Sequence, residues 1–187
     1  MGGGPLGYLP SVPTSLRQRA RALQHRYAGG EPRPLAGYLL LMGGYTVMGG
    51  ALFAAARRRQ PAGGTGLGWQ DLALTTVATY RASRLLTKDA VTSPLRAPLT
   101  RYEGPGLPSE VNEQVAPGIV GRPVLHAVGE LVTCPFCVGQ WVATVLVAGH
   151  VLEPRLTRLA TRVLTVAAGA EALHYAHSGL QRLEPSA

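Results

Sequence analysis

The stretch LAGYLLLMGGYTVMGGALFAAA, residues 35–56, contains no charged side chain. A helix needs about 20 apolar residues, rising about 1.5 Å each, to cross about 30 Å of hydrocarbon. This run is long enough, and its reading as a transmembrane helix decides the fold class. Gly43–Gly44, Gly49–Gly50 and Ala54 place small residues where helix backbones can approach closely in lipid. A span that is merely glycine-rich has the same appearance. FAAA, at the end of the run, resembles the small-residue cleavage site of a signal peptide. RRR follows at once and 34 residues come before it, so the segment is read as a retained span.

Working outward, three more apolar segments follow. WQDLALTTVATYRASRLLT, residues 69–87, is interrupted by Arg81 and Arg84. FCVGQWVATVLVAGHVL, residues 136–152, is cleaner. The last, residues 156–178, is apolar but holds Glu171, His174 and His177. Composition agrees: 46% of the 187 residues are hydrophobic and 15% charged, against about 25% charged in a soluble domain. The expected fold is all-α, an integral membrane bundle of about four transmembrane helices. Residues 35–56 form an N-terminal extension to a membrane domain over 69–180.

Cationic residues flanking the spans set the orientation. With the N-terminus inside, ten lie on the cytoplasmic side: Arg17, Arg19, Arg21, Arg26, Arg33, Lys88, Arg96, Arg101, Arg122 and Arg182. Five lie outside: Arg57, Arg58, Arg59, Arg155 and Arg158. Both termini are therefore expected in the cytoplasm, in a multi-pass protein of a bacterial inner membrane. The arginine triplet opposes this assignment locally.

The flanks carry less pattern. Residues 1–34 form a basic arm whose first 13 residues, rich in Gly and Pro, are expected to be disordered. Residues 14–28 read as an amphipathic helix with Leu16, Ala20, Leu23 and Tyr27 on one face, suited to an anionic membrane surface or to orienting the first span. Residues 88–123 read as a polar, proline-rich loop. Residues 124–133 then read as a short interfacial helix with Val124, Leu125, Val128, Leu131 and Val132 on its apolar face.

The net charge is +8 and the pI about 10.2. Basic aromatic signatures of nucleic-acid binding and zinc-finger spacings are absent from the sequence, so nucleic acid is not an expected partner. The expected partners are the lipid bilayer with its anionic headgroups, and a second copy or another membrane protein. Lys88 and Arg96, in TKDAVTSPLRAP, are the candidates for headgroup or partner contact.

Charges inside a bilayer are expensive and face a partner or water. Helical rise places Arg81 and Glu171 at matching depth, with Arg84 and His174 one turn further in. The four are read as an intramembrane polar network around an Arg81–Glu171 pair. Such a network fixes which helix faces meet. A proton or ion path is the alternative, against which stands the lack of an inverted repeat.

Both cysteines of the chain, Cys134 and Cys137, lie in TCPFC ahead of the third span. Three readings stand side by side. In the first they are a redox pair, Cys134 being the helix cap before Pro135, where a thiol tends toward thiolate. In the second, His126, Glu130, Cys134 and Cys137 share one narrow helical stripe and hold zinc, or two copies form a four-cysteine site. In the third the cysteines are small helix-start residues, and Trp141 nearby is an interfacial anchor.

ATYRASRLLTKDAVTSPLRAPLTR, residues 78–101, followed by GELVTCPFCVGQWVA, residues 129–143, resembles a small bacterial membrane family of unknown function, number thirteen-sixty in the domain-of-unknown-function series. The likeness covers roughly residues 69–178 and rests on R-x-x-R-L, the PLR element and the GEL…C-x-x-C segment. It implies a compact multi-span membrane protein with no established activity. Because some members occur in spore formers, it also implies a cell-envelope or developmental role. No phosphate-binding glycine loop, nucleophile elbow or paired-carboxylate pattern is present in the sequence. A structural or interaction role is therefore expected ahead of an enzymatic one.

Overall fold

The computed structural model describes residues 15–59 and 67–182. The expectation of disorder for residues 1–13 falls outside them. The described chain is 77% helical, with seven α-helices and one small sheet.

The N-terminal helix α1, Leu16–Ala28, starts on a capping box in which the Ser15 hydroxyl accepts from the Gln18 amide. It ends on Gly29, whose left-handed backbone (φ 56°) carries almost no penalty in glycine. Four long helices follow: α2 Leu35–Arg59, α3 Trp69–Thr87, α6 Pro135–Leu152 and α7 Pro154–Gln181. Between α3 and α6 lie the single-turn α4 Ser93–Arg96, strands β1 Thr100–Pro105 and β2 Val111–Val115, and α5 Pro123–Thr133. Pro123, Pro135 and Pro154 each open a helix, where the missing amide proton has no intrahelical acceptor to lose.

α2 packs on α5 and α6, and α3 packs on α6 and α7. Cross-links fix the directions. Thr75 bonds His150 and Ser83 faces Gly139, so α3 and α6 are antiparallel. Tyr45 bonds Thr144 and Arg59 reaches the Leu152 carbonyl, so α2 and α6 are parallel. α7 runs with α3, through Thr165 to Leu74 and Glu171 to Arg81. The C-terminal ends of α3 and α7 thus meet the N-terminal ends of α2 and α6 at one end of the molecule. The hairpin and α5 sit there too.

The expected all-α class needs correction. The segment read as loop 88–123 contains an antiparallel hairpin, with Thr100 opposite Val115 and Pro105 opposite Val111. In β2 the side chains of Val111, Glu113 and Val115 turn inward while Asn112 and Gln114 stay exposed. That is the two-residue period of a half-buried strand. A register shift between Tyr102 and Gly104 accommodates β1, and Gly104 takes φ 135° there, a conformation open to glycine alone.

Among the described residues, two helices are long and apolar enough to cross a membrane: α2 and α6. α3 carries Asp71, Arg81 and Arg84, and α7 carries Arg155, Arg158, Arg162 and Glu171. Among the described residues the only buried apolar side chains are Ala78, Ala127 and Ala168. The helix interfaces are otherwise small and polar, as at Thr75, Ser83, Thr87, Thr157 and Thr161. Large apolar side chains point outward, Val47 being 72% and Leu173 73% exposed.

Candidate functional site

The end of the molecule where the hairpin sits holds a dense set of charges. Arg81 on α3 makes a two-pronged bond to Asp89, from Nη1 to Oδ1 at 3.2 Å and from Nη2 to Oδ2 at 2.7 Å. Its Nε lies 3.4 Å from Glu171 Oε2 on α7, without hydrogen-bonding geometry, so that buried oxygen is unsatisfied. Arg84, one turn on, pairs with Glu110 at the start of the second hairpin arm. The Arg84 Nε is likewise buried without a partner. His174 joins neither pair and is exposed. With Glu171 and Arg81 it lines a cavity of ≈ 450 Å³ between α3, the hairpin tip at Pro108–Ser109, and α7.

Arg96 corrects the sequence reading most sharply. It was expected to reach a headgroup or partner, yet it is 2% exposed. All five of its N–H donors are used. Nε donates to Glu113 Oε2 at 2.6 Å, and Nη1 to the Leu86 carbonyl at 3.0 Å and Thr92 Oγ1 at 2.6 Å. Nη2 donates to the Asp89 carbonyl at 3.1 Å and Ser93 Oγ at 3.3 Å. Arg96 therefore knits the end of α3, α4 and β2 together. Lys88 is half-buried, and its backbone carbonyl accepts from the Val111 amide.

Because Arg81 serves both Asp89 and Glu171, Arg81→Ala is expected to destabilise more than Glu171→Ala. The double variant should lose less than the sum of the two, by about 1 kcal/mol. Thermal midpoints of the four proteins in detergent measure this. Strict additivity would mean that the 3.4 Å approach carries no energy.

At the same end, Glu130 on α5 is held by α2. The Tyr38 hydroxyl donates to its Oε2, Arg33 Nη1 lies 3.4 Å from its Oε1, and His126 Nε2 lies 3.6 Å from Oε1. The hydroxyl of Tyr38, then the carboxylates of Glu31 and Glu130, raise Arg33 above its ordinary pKa. Trp141, expected as an interfacial anchor, packs edge-on against Tyr45 of α2 at 5.3 Å between ring centres.

Cys134 and Cys137 are both free, with sulfurs 2.6 Å apart. Cys134 is at once the last residue of α5's cap and the N-cap of α6, and its sulfur accepts from the Cys137 amide at 3.3 Å. The zinc set does not assemble: among the described residues no group of three or more His, Cys, Asp and Glu side chains could hold a metal. The cause is local. Cys134 has extended dihedrals, φ −107° and ψ 107°, so the 100° step of a continuous helix stops at that residue. His126 and Glu130 therefore lie on one helix and the thiols at the start of another.

Comparison with known proteins fits this geometry. The segment from Leu74 to His177 holds most of α3, the charged hairpin, the cysteine pair and most of α7. The description "Protein of unknown function (DUF1360)" matches residues 74–177. Over 96 residues the chain is 29% identical to "Sporulation protein YjcA" of Bacillus subtilis (strain 168), covering 51% of this chain and 80% of that protein. No solved structure matches. Since the match takes in more than half of the chain, this protein belongs to the DUF1360 family.

Proposed function

We propose that the chain is a multi-pass protein of a bacterial cytoplasmic membrane, with α2, α3, α6 and α7 crossing the bilayer and both termini in the cytoplasm. Its role is structural or adaptor-like in the cell envelope. The observation that carries this reading is the inverted surface. Between the helices lie threonine, serine and alanine, and outside lie Leu39, Val47, Phe53, Val163 and Leu173. Small and polar residues at helix contacts with apolar residues outside are the pattern of helices packed in lipid. An exposed apolar surface of this extent is foreign to a soluble monomer.

The charged end supports the same reading. Arg81 and Arg84, in the last turns of α3, each find a carboxylate, as charges in or beside hydrocarbon require. α1, with Leu23 and Tyr27 exposed among arginines, suits the adjoining anionic surface. The likeness to a sporulation protein favours an envelope role over metabolism.

In cells, the protein is expected to stay with membranes through an alkaline carbonate wash. Alkaline phosphatase fused after Glu153 should be active, and fused after Thr133 or Gln181 inactive. Release by carbonate would end the membrane reading. Activity after Thr133 would reverse the orientation.

A further inference from the structure

The two thiols are not used by the charged network, and Glu130, one turn before them, is already occupied by Tyr38 and Arg33. What distinguishes them is their own geometry. The sulfurs lie 2.6 Å apart, and a disulfide needs about 2.05 Å. The gap to close is about half an ångström, and Cys134 sits in the extended link between α5 and α6. Both remain reachable, since Cys137 is exposed and Cys134 half-buried.

The pair is also asymmetric. Cys134 Sγ accepts a hydrogen bond from the Cys137 amide at 3.3 Å, and the Cys137 sulfur has no such donor among the described hydrogen bonds. That amide, at the N-terminus of α6, faces the negative charge that an attacking sulfur carries.

We propose that Cys134 and Cys137 form a thiol–disulfide exchange site whose co-reactant is a low-molecular-weight disulfide, with Cys134 the attacking sulfur and Cys137 the resolving one. The Cys134 thiolate attacks one sulfur of the disulfide RS–SR. A Cys134–SR bond forms, the S–S bond of the co-reactant breaks, and RS⁻ leaves. That thiolate takes the Cys137 proton and departs as RSH. Cys137 thiolate then attacks Cys134 Sγ, the Cys134–SR bond breaks, and the second RS⁻ takes from solvent the proton that Cys134 had given up. The protein dithiol is oxidised to a disulfide, and the co-reactant is reduced to two thiols.

The test uses the purified full-length chain in detergent, equilibrated across ratios of reduced to oxidised glutathione, acid-quenched and alkylated with a maleimide. Intact mass then counts the labelled thiols. Both thiols are expected to label on the reducing side and neither on the oxidising side. In Cys137→Ser, a single glutathione adduct should accumulate on Cys134. Cys134→Ser keeps a good helix cap, so it should fold, lose the internal disulfide, and form adduct more slowly on Cys137. Two thiols that label at every ratio would overturn the proposal, as would faster adduct formation on Cys137. So would one zinc per two chains in the reduced protein, lost in either variant, because the thiols would then belong to a metal site shared between copies.

Discussion

Arg96→Ala is expected to remove about 3–5 kcal/mol of stability, the range for breaking a buried ion pair by deleting one partner. The loss reaches beyond the pair. Glu113 keeps a buried carboxylate with the Thr100 hydroxyl as its remaining donor, the Leu86 carbonyl loses its guanidinium partner, and the Asp89 carbonyl is left with Thr92 alone. Arg96→Lys should rescue only a small part. An ammonium has three donors on a flexible stem, and five fixed positions must be met. Thermal midpoint and purified yield in detergent both report the effect. A change within about 0.5 kcal/mol would be the behaviour of a surface arginine and would contradict the burial.

The second large effect is expected at Gly37→Ala. Gly37 is where α2 touches α5. A Cβ there would lie 2.7 Å from the Ala127 Cβ and would run into the Pro123 carbonyl. Neither neighbour is the end of a flexible side chain, so the helices must part. The bonds of Tyr38 and Arg33 to Glu130 go with them. A loss of about 1–3 kcal/mol follows from overpacking. Gly43→Ala is the control, because a Cβ at that position meets nothing within 4 Å. There the helix should gain about 0.5–1 kcal/mol from reduced backbone freedom. The two alanines thus act with opposite sign on thermal midpoint. Equal responses would mean that α2 does not rest on α5 at this residue.

How much of this was legible depends on which physical signal each feature leaves in the chain. Long apolar runs announce helices directly, and α2 and α6 follow from them. The hairpin leaves a weak signal. VNEQV alternates as a strand should, but Pro105, Pro108 and Pro117 around it read as a loop, and five residues are too few to outweigh them. Helical rise is a local quantity, so the common depth of Arg81 and Glu171 can be counted. The true first partners, Asp89 and Glu110, lie in the irregular segment, where nothing can be counted. Arg96 looked like a surface residue because its acceptors are mostly backbone carbonyls and hydroxyls created by the turn itself. The four-residue metal stripe was counted on helical periodicity with a break expected at Pro135, and the chain already leaves the helix at Cys134, which sets the thiols apart from His126 and Glu130. The contact at Gly37 leaves no trace in composition at all.

The charged end also bears on the order in which the chain is made. Arg81, Arg84 and Arg96 find Asp89, Glu110 and Glu113 at separations of 8, 26 and 17 residues. All six residues precede α6 and α7 in the chain, so the three pairs can form before either helix is made. Contacts this near in sequence form early. α3 therefore carries its own neutralising segment and need not wait for Glu171, 90 residues after Arg81, to be synthesised. Glu171 arrives last, as a surplus carboxylate docking onto a finished, electrically balanced platform.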